Sequence, residues 1–418
     1  MRKVLLVLAA SSAMVVAGVA AVPLAGAAPT PSVLIVGNSH TCTGTYPTIS
    51  AANAAAVSGD TIKVCAGTYD ETVTVTTPNL TFEGARVGKK ARALGAAATK
   101  NVSIIDNVNG DFVLASSADN TTINGFTIEG AGSPTINQDG VSAFAGSSGL
   151  NLTDNVIVDN GNGVNFQNPN SADPTTISRN YINNNNDEGD VGNNGQTGTG
   201  VFISNGPADN TTITNNIFGE DSQTAINFAG ASGNPSSGLV VSSNTSLNDS
   251  TFVVATNSTN ALIENNRITV NTSAVPGGNG TGILDFGSNN GLRIIKNSMS
   301  STVDISSAIA LAAFTGTASA DTTVTSNKIK GWNFGIKVAS GYDSALVSSS
   351  KISGNGAGGI AVAAGTSGNV LSHNKVSGDA APSQDCSDAS TGTLTAGTAN
   401  TWTRDVGADG NSSPAGIC

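Results

Sequence analysis

One six-residue pattern, apolar, two polar residues, Asn, any residue, apolar, returns down most of the chain at intervals of 22 to 36 residues. Between its copies lies a second short apolar run, and turn residues separate the two. Together with low charge and abundant Gly, Asn, Ser and Thr, this recurrence predicts an all-β solenoid, a right-handed parallel β-helix (solenoid) with an N-terminal capping helix and a disulfide-pinned C-terminal cover.

The pattern is clear at LTDNVI (152–157), ISRNYI (177–182), ITNNIF (213–218), IENNRI (263–268), IIKNSM (294–299), VTSNKI (324–329) and LSHNKV (371–376). Degenerate copies place Asn244 and Ser350 in the same series as Asn155, Asn180, Asn216, Asn266, Asn297, Asn327 and Asn374. The second run reads GVNF (163–166), GVFI (200–203), AINF (225–228), GIKV (335–338) and GIAV (359–362). Each repeat therefore supplies at least two strands of three to five residues, too short for helices. The expected role of Asn is double: it adopts the left-handed backbone of a sharp bend, and its amide stacks on the next coil's amide in a ladder. The residue after each Asn is expected to face out, and the apolar residue after that, such as Ile182, Ile268 or Ile329, to face in.

Terminal coils expose sheet edges and need covers. At the N-terminal end, 47–57 (PTISAANAAAV) predicts an amphipathic helix with Ile49, Ala52, Ala56 and Val57 on one face. From 380 to 418 the repeat is lost in an Asp, Ser, Gly and Thr-rich segment, read as a disulfide-pinned C-terminal cover with room for strands of its own. The four cysteines allow three pairings; the distance between the pairs favours Cys42 with Cys65 and Cys386 with Cys418. Residues 1–28 read as a secretory signal, with Arg2 and Lys3 ahead of an apolar stretch and Ala25-Gly26-Ala27 as the cleavage site. The domain reading is thus 1–28 signal, 29–379 capped β-helix and 380–418 cover, with a secreted, extracellular monomer as the expected product.

The formal net charge is −11, and −13 without Arg2 and Lys3, which makes nucleic acid a poor partner. No second apolar stretch is long enough to cross a bilayer, so no membrane partner is expected. Charged residues are 11% of the chain and aromatics 4%, leaving few groups for chemistry. Sequons at Asn120, Asn151 and Asn210 follow from Asn and Thr richness alone.

The segment GDTIKVCAGTYDETVTV (59–75), preceded by YPTISAANAA (46–55), resembles the N-terminal entry of the pectin lyase-like superfamily. The later GFTI (125–128) and the Asn-x-Ile copies resemble its β-helix repeats, so the similarity spans about residues 42–378. It implies the fold and is nearly silent about reaction, because that superfamily holds lyases, hydrolases, esterases, epimerases and non-catalytic surface proteins. The hydrolase pattern is missing, with no Asp-Asp pair on a strand and no Gly-His-Gly; the only histidines are His40 and His373. The esterase likeness stops at Gly67 to Glu71, and no epimerase-type Asp-Pro-His is present.

Three groups of candidates remain. Arg267, Lys328, Lys351 and Lys375 follow their anchors and form a one-sided basic stripe suited to an anionic sugar polymer. Asp187, Glu188 and Asp190 in the longest coil, with Glu220 and Asp221 below, form an oxygen-rich group suited to Ca2+. Arg179 and Tyr181 on that coil are the candidates for catalytic proton transfer in a polysaccharide lyase. The sequence favours a β-helix that binds extracellular polysaccharide without catalysis, with a polysaccharide lyase or related carbohydrate-active enzyme on uronic-acid polymers as the alternative.

Overall fold

The computed structural model describes residues 30–39, 42–91, 101–106, 111–130, 139–143, 145–185, 198–229, 233–272, 280–303, 305–313, 317, 319–379, 384–408 and 410–418. The signal reading at 1–28, His40, and the loop bearing Asp187, Glu188 and Asp190 lie outside them. Residues 31–418 form one unit.

Each turn of the chain supplies three strands, one to each of three parallel sheets. Sheet 1 has 14 strands, from Val33–Val36 to Thr401–Thr403; sheet 2 has 13, from Gly67–Tyr69 to Val406–Gly407; sheet 3 has 13, from Val73–Val75 to Ser412–Ser413. The Asn motif itself contributes two of the three strands, one on either side of the Asn, and the second apolar run is the third. Pairing is in register from coil to coil: Ile177 lies beside Leu152 and Ile213, and Ile182 beside Ile157 and Phe218. Alternate side chains therefore stack inside as one continuous apolar column per face. Ile182, Ile268 and Ile329 are buried, as their position after the Asn predicted.

The corner between sheets 1 and 2 shows why Asn recurs. Asn155, Asn180, Asn216, Asn244, Asn266 and Asn297 each donate Nδ2–H to the Oδ1 of the next in line at 3.0 to 3.2 Å. Each of their backbone N–H groups donates to that same Oδ1. The second Nδ2 hydrogen reaches a carbonyl of the preceding coil, as from Asn244 to Ile213 at 2.9 Å. Thus a fully buried amide is satisfied at every valence.

One part of the sequence reading is corrected here. The left-handed residue of the corner is not the Asn but its predecessor: Asp154, Arg179, Asn215, Ser243, Asn265, Lys296, Ser326, Ser349 and His373 all have φ between 55° and 59°. The side chain of the predecessor is exposed at every one of these positions but Asp154 and is free to vary; the Asn is held by its bonds.

A second ladder runs five residues later, at the corner between sheets 2 and 3. Asn160 donates to Asn185 and Asn185 to Asp221, and further down Asn355 donates to Asp379. The side chains of this ladder fill the space beside Gly140, Gly163 and Gly200, where an added Cβ would meet Asn160, Asn185 and Asp221 at 3.0, 3.1 and 2.6 Å. That contact explains why the second apolar runs so often open on Gly.

Helix α1 (Ile49–Ala55) starts at Thr48, whose hydroxyl caps Ala51 N–H. Ile49 and Ala52 are buried against the first coil, and Ala56 is nearly so, but Val57 is 40% exposed and does not belong to the buried face. The Glu71 carboxylate accepts from Ile49 and Ser50 N–H at 2.7 and 2.8 Å, and Tyr69 OH donates to Cys65 O. The Gly-x-Tyr-x-Glu turn is therefore a structural clasp for the helix. Both expected disulfides are present, Cys42–Cys65 and Cys386–Cys418.

The disulfide-pinned C-terminal cover has strands of its own, and they continue the winding. Gln384–Asp388, Thr401–Thr403, Val406–Gly407 and Ser412–Ser413 extend all three sheets, and the disulfide pins this last winding over the end of the solenoid. Trp402 takes the inward place of an aliphatic residue and Asp405 that of the anchor Asn.

Candidate ligand-binding face

The position after each anchor forms one vertical row on sheet 2. Thr127, Val156, Tyr181, Ile217, Thr245, Arg267, Ser298, Lys328, Lys351 and Lys375 are register partners in that order. The row was expected to face solvent throughout. Its N-terminal part does not: Thr127 and Val156 are each 3% exposed, and Tyr181 is half-buried. From Thr245 onward the row is open.

The open part carries the basic stripe. Lys328, Lys351 and Lys375 occupy three consecutive strands directly above one another, all exposed, and Arg267 stands two coils up with Ser298 between. Lys330, two residues beyond Lys328 and also exposed, widens the stripe. Strand spacing puts neighbouring backbones about 4.8 Å apart. At that separation each pair of like charges repels by roughly 1 kcal/mol in water, and by more where solvent is excluded. Among the described residues the only ion pair in the molecule is Arg179 with Asp154. The stripe is therefore an uncompensated row of cations on a chain of net charge −11.

Arg179 sits at the left-handed corner position, φ 58°. Its Nε and Nη2 donate to the two carboxylate oxygens of Asp154 at 2.8 and 2.7 Å, and the Asp154 side chain is 1% exposed. The hydrogen bonds to Asp154 push the guanidinium pKa up, so Arg179 stays charged and positions charge rather than accepting a proton. The Tyr181 phenol is pushed up chiefly by burial, then by Glu220, Asp221, Asp159 and Asp249. It holds its proton and is a hydrogen-bond donor.

Glu220 and Asp221 diverge. Glu220 takes the left-handed place of the second corner and is exposed. Asp221 is buried within the second ladder, its Oδ1 accepting Asn185 N–H and Nδ2–H at 3.0 and 3.1 Å. Burial and the neighbouring Asp249 push the Asp221 carboxyl well up, and burial raises Asp249 to about 7. Among the described residues no three His, Cys, Asp or Glu side chains converge in a metal-binding group.

Two carboxylates outside the sequence reading are notable. Glu129, on sheet 2, is half-buried beside Asp106 on the preceding coil; burial raises its pKa first, then Asp106 and Asp159. Asp139 opens a strand of sheet 3 with its oxygens held by Asn162 and Asn165 Nδ2, each at 3.0 Å, and burial pushes it up to about 6. Neither carries a motif. The second ladder did leave a signal, an Asn or Asp five residues after Asn155, Asn180, Asn216, Asn244, Ser350 and Asn374.

Comparison with known proteins fits this geometry. Residues 190–376 match the family model described as a right handed beta helix region. No curated protein sequence matches the chain. Among solved structures, the catalytic unit of a thermostable GH87 α-1,3-glucanase from Streptomyces thermodiastaticus strain HF3-3 is similar at 13% identity and a TM-score of 0.58, covering 85% of this chain and 64% of that one. A GH136 lacto-N-biosidase from Eubacterium ramulus is similar at 10% identity and a TM-score of 0.47, with coverage of 90% and 67%. PfbA, a surface adhesin of Streptococcus pneumoniae, gives 17%, 0.41, 78% and 86% for the same quantities. The chain thus spans less than two thirds of the glucanase unit, and identities this low speak for the fold alone. On its strand register and its matched repeats, the chain has the right-handed parallel β-helix fold.

Proposed function

We propose that this protein is a secreted, monomeric β-helix that binds an anionic extracellular polysaccharide without transforming it, with Arg267, Lys328, Lys351 and Lys375 as the contact row. The observation that carries the reading is the register of Lys328, Lys351 and Lys375 on consecutive strands with no carboxylate paired to them among the described residues. Such a row stores repulsion that a ligand with regularly spaced negative groups relieves. Long-range attraction of this kind is screened by salt, whereas binding through sugar hydroxyls is not. The test is affinity electrophoresis or calorimetry on polygalacturonate, alginate and a neutral glucan. Binding confined to the anionic polymers, weakened by salt and lost in the K328Q/K351Q/K375Q variant, is expected. Equal retention by the neutral glucan, or an unaffected triple variant, refutes it.

A second reading, β-elimination on a uronic-acid polymer, is favoured by one arrangement. Tyr181 is a half-buried phenol that holds its proton, and Arg179, two residues before it in the chain, is a guanidinium fixed by Asp154, so one coil carries a donor for the leaving oxygen and a cation for the uronate. Ca2+ bound near Glu220 and the loop carrying Asp187, Glu188 and Asp190 would supply charge neutralisation for the uronate. Ultraviolet-absorbing unsaturated product from pectate or alginate, measured with and without Ca2+, distinguishes this reading from pure binding.

A further inference from the structure

Outside the stripe, Lys63 and Arg293 stand singly on sheet 1 and Lys337 on sheet 3, but one group of cations falls together. After the sheet 1 strand Thr81–Glu83, residues 84–91 (GARVGKKA) form an excursion that is all-basic in its charges. Arg86 N–H bonds Gly125 O at 3.1 Å, Val87 N–H bonds Gly84 O, Lys89 N–H bonds Arg86 O, and Ala85 N–H bonds Ser103 Oγ. Gly125, at φ 78°, lies so close beneath that an added Cβ would stand 2.2 Å from Val87 N. The backbone of the excursion is pinned to the coil, and Lys89 and Lys90 are exposed on it.

Most corner acids hold the other two corners, while Glu83, Asp154 and Glu264 flank the one between sheets 1 and 2, and Asp106 and Glu129 lie on sheet 2. At the corner between sheets 3 and 1, Asp60, Asp119, Asp209 and Asp343 accept backbone N–H bonds from Ser32, Ser148, Ser237 and Ser367. The corner between sheets 2 and 3 carries Glu129, Asp159 and Glu220. The side formed by sheet 2 and its junction with sheet 1 holds the excursion at one end and the stripe at the other, with Lys296 and Arg404 at its corner positions. Between the two ends the corner is neutral: Asn215, Ser243 and Asn265 carry no charge, and Arg179 is cancelled by Asp154.

We infer that residues 84–91 are a second contact for the same class of ligand, so that one long polyanionic chain lies parallel to the solenoid axis and is held at both ends. This rests on the binding reading above and adds the axis, the second site and a minimum ligand length. Along sheet 2, Ser103–Asp106 is six strand steps from Arg267 and ten from Lys375. At about 4.8 Å per step these are roughly 29 and 48 Å. A ligand shorter than the first distance reaches one end only; a longer one engages both, and its second contact forms at the high effective concentration of a tethered group.

The experiment compares wild type, K89Q/K90Q and K328Q/K351Q/K375Q on two probes, an oligogalacturonate of extended length below about 20 Å and a polygalacturonate above about 50 Å. Thermal melts confirm that these surface variants fold. Expected is a stripe variant weakened on both probes, and an excursion variant that binds the short probe as wild type does but the long one at least tenfold more weakly. An excursion variant unchanged on the long probe, or equally weakened on both, overturns the two-ended track while leaving stripe binding intact. Wild type that binds neither probe overturns the underlying reading as well.

Discussion

Ser350 is a gap in an otherwise continuous ladder, and filling it is the sharpest test of the ladder's energetics. Asn327 N–H reaches Ser350 Oγ at 3.3 Å, and Ser350 N–H donates to Asn374 Oδ1 at 3.0 Å, so the backbone is already in ladder geometry. What is missing is the amide. Asn327 Nδ2 keeps its carbonyl bond to Ile294 but has no amide oxygen below it, and among the described residues no side chain donates to the carbonyl of Val324 as Asn374 does to that of Val347. Ser350→Asn supplies three side-chain hydrogen bonds, one accepted from Asn327 and two donated to Val324 O and Asn374 Oδ1, and loses the bond from Ser350 Oγ to Ser348 O. Two net bonds at about 1 kcal/mol each, less about 0.5 kcal/mol for freezing the longer side chain, give a stabilisation of about 1.5 kcal/mol. The readouts are the urea midpoint and the exchange protection of the amides of Asn327, Lys351 and Lys375, since repeat arrays open locally before they unfold globally. An unchanged or lowered midpoint, with no gain in protection at those amides, would show that amide stacking is not what stabilises the corner.

Arg179→Ala leaves the Asp154 carboxylate buried without its partner; discounted for the half-exposed guanidinium, the loss is about 2 kcal/mol, and chemical denaturation of the variant and of Asp154→Asn/Arg179→Ala checks whether the second change restores it. The Asp139 pKa is raised by burial from 3.8 to about 6, so its contribution is fully present below pH 3.8 and is lost as pH rises through about 6. Asp139→Asn, which needs no proton, is expected to flatten the fall in melting temperature over that window, and a variant with the wild-type slope refutes the assignment. Reducing Cys386–Cys418 releases a loop of sequence separation 32 and removes about 3 kcal/mol, with limited proteolysis expected to trim the chain from its C-terminal end before the central coils are cut.

The fold was legible because Asn suits the anchor best: its short side chain donates twice and accepts twice at a buried corner, so chemistry repeats as sequence. The left-handed residue before it was misassigned because any residue is tolerated there. Asp154, Arg179, Lys296, Ser326 and His373 share nothing but their backbone. The strain of roughly 1 kcal/mol is offset by the bonds next door. The last coil was read as a cover but not as a copy of the repeat, because TWTRDVG (401–407) keeps the geometry of the motif while replacing its aliphatics by Trp402 and Gly407 and its amide by Asp405. Of the candidate face, the stripe was readable since register follows directly from the repeat. Residues 84–91 were not, because an excursion out of the repeat has no register to read.

The ladders also have a direction, and it dictates how they end. From side chain to side chain, every Asn donates toward the C-terminal coil and accepts from the N-terminal one, so the last member needs an acceptor and has no amide below it to donate to. Asp405 fills that place, taking Asn374 N–H and Nδ2–H on Oδ1 at 2.8 Å each; Asp379 does the same for Asn355. A third run, Asn369 to Asn400, passes on to Asp388. Interior and terminal positions should therefore respond oppositely to the same pair of residues. Asp405→Asn keeps an oxygen for Asn374 and is expected to change stability by less than about 1 kcal/mol. Asn374→Asp removes the donor to Val347 O and sets a carboxylate against Asp405 in a buried corner, for a loss of about 3 kcal/mol or more at neutral pH. That loss should shrink on acidification, because protonating the introduced carboxyl restores one donor toward Asp405 where the amide had been. Equal effects of the two substitutions in urea unfolding would mean that the ladder is held by packing alone and has no polarity.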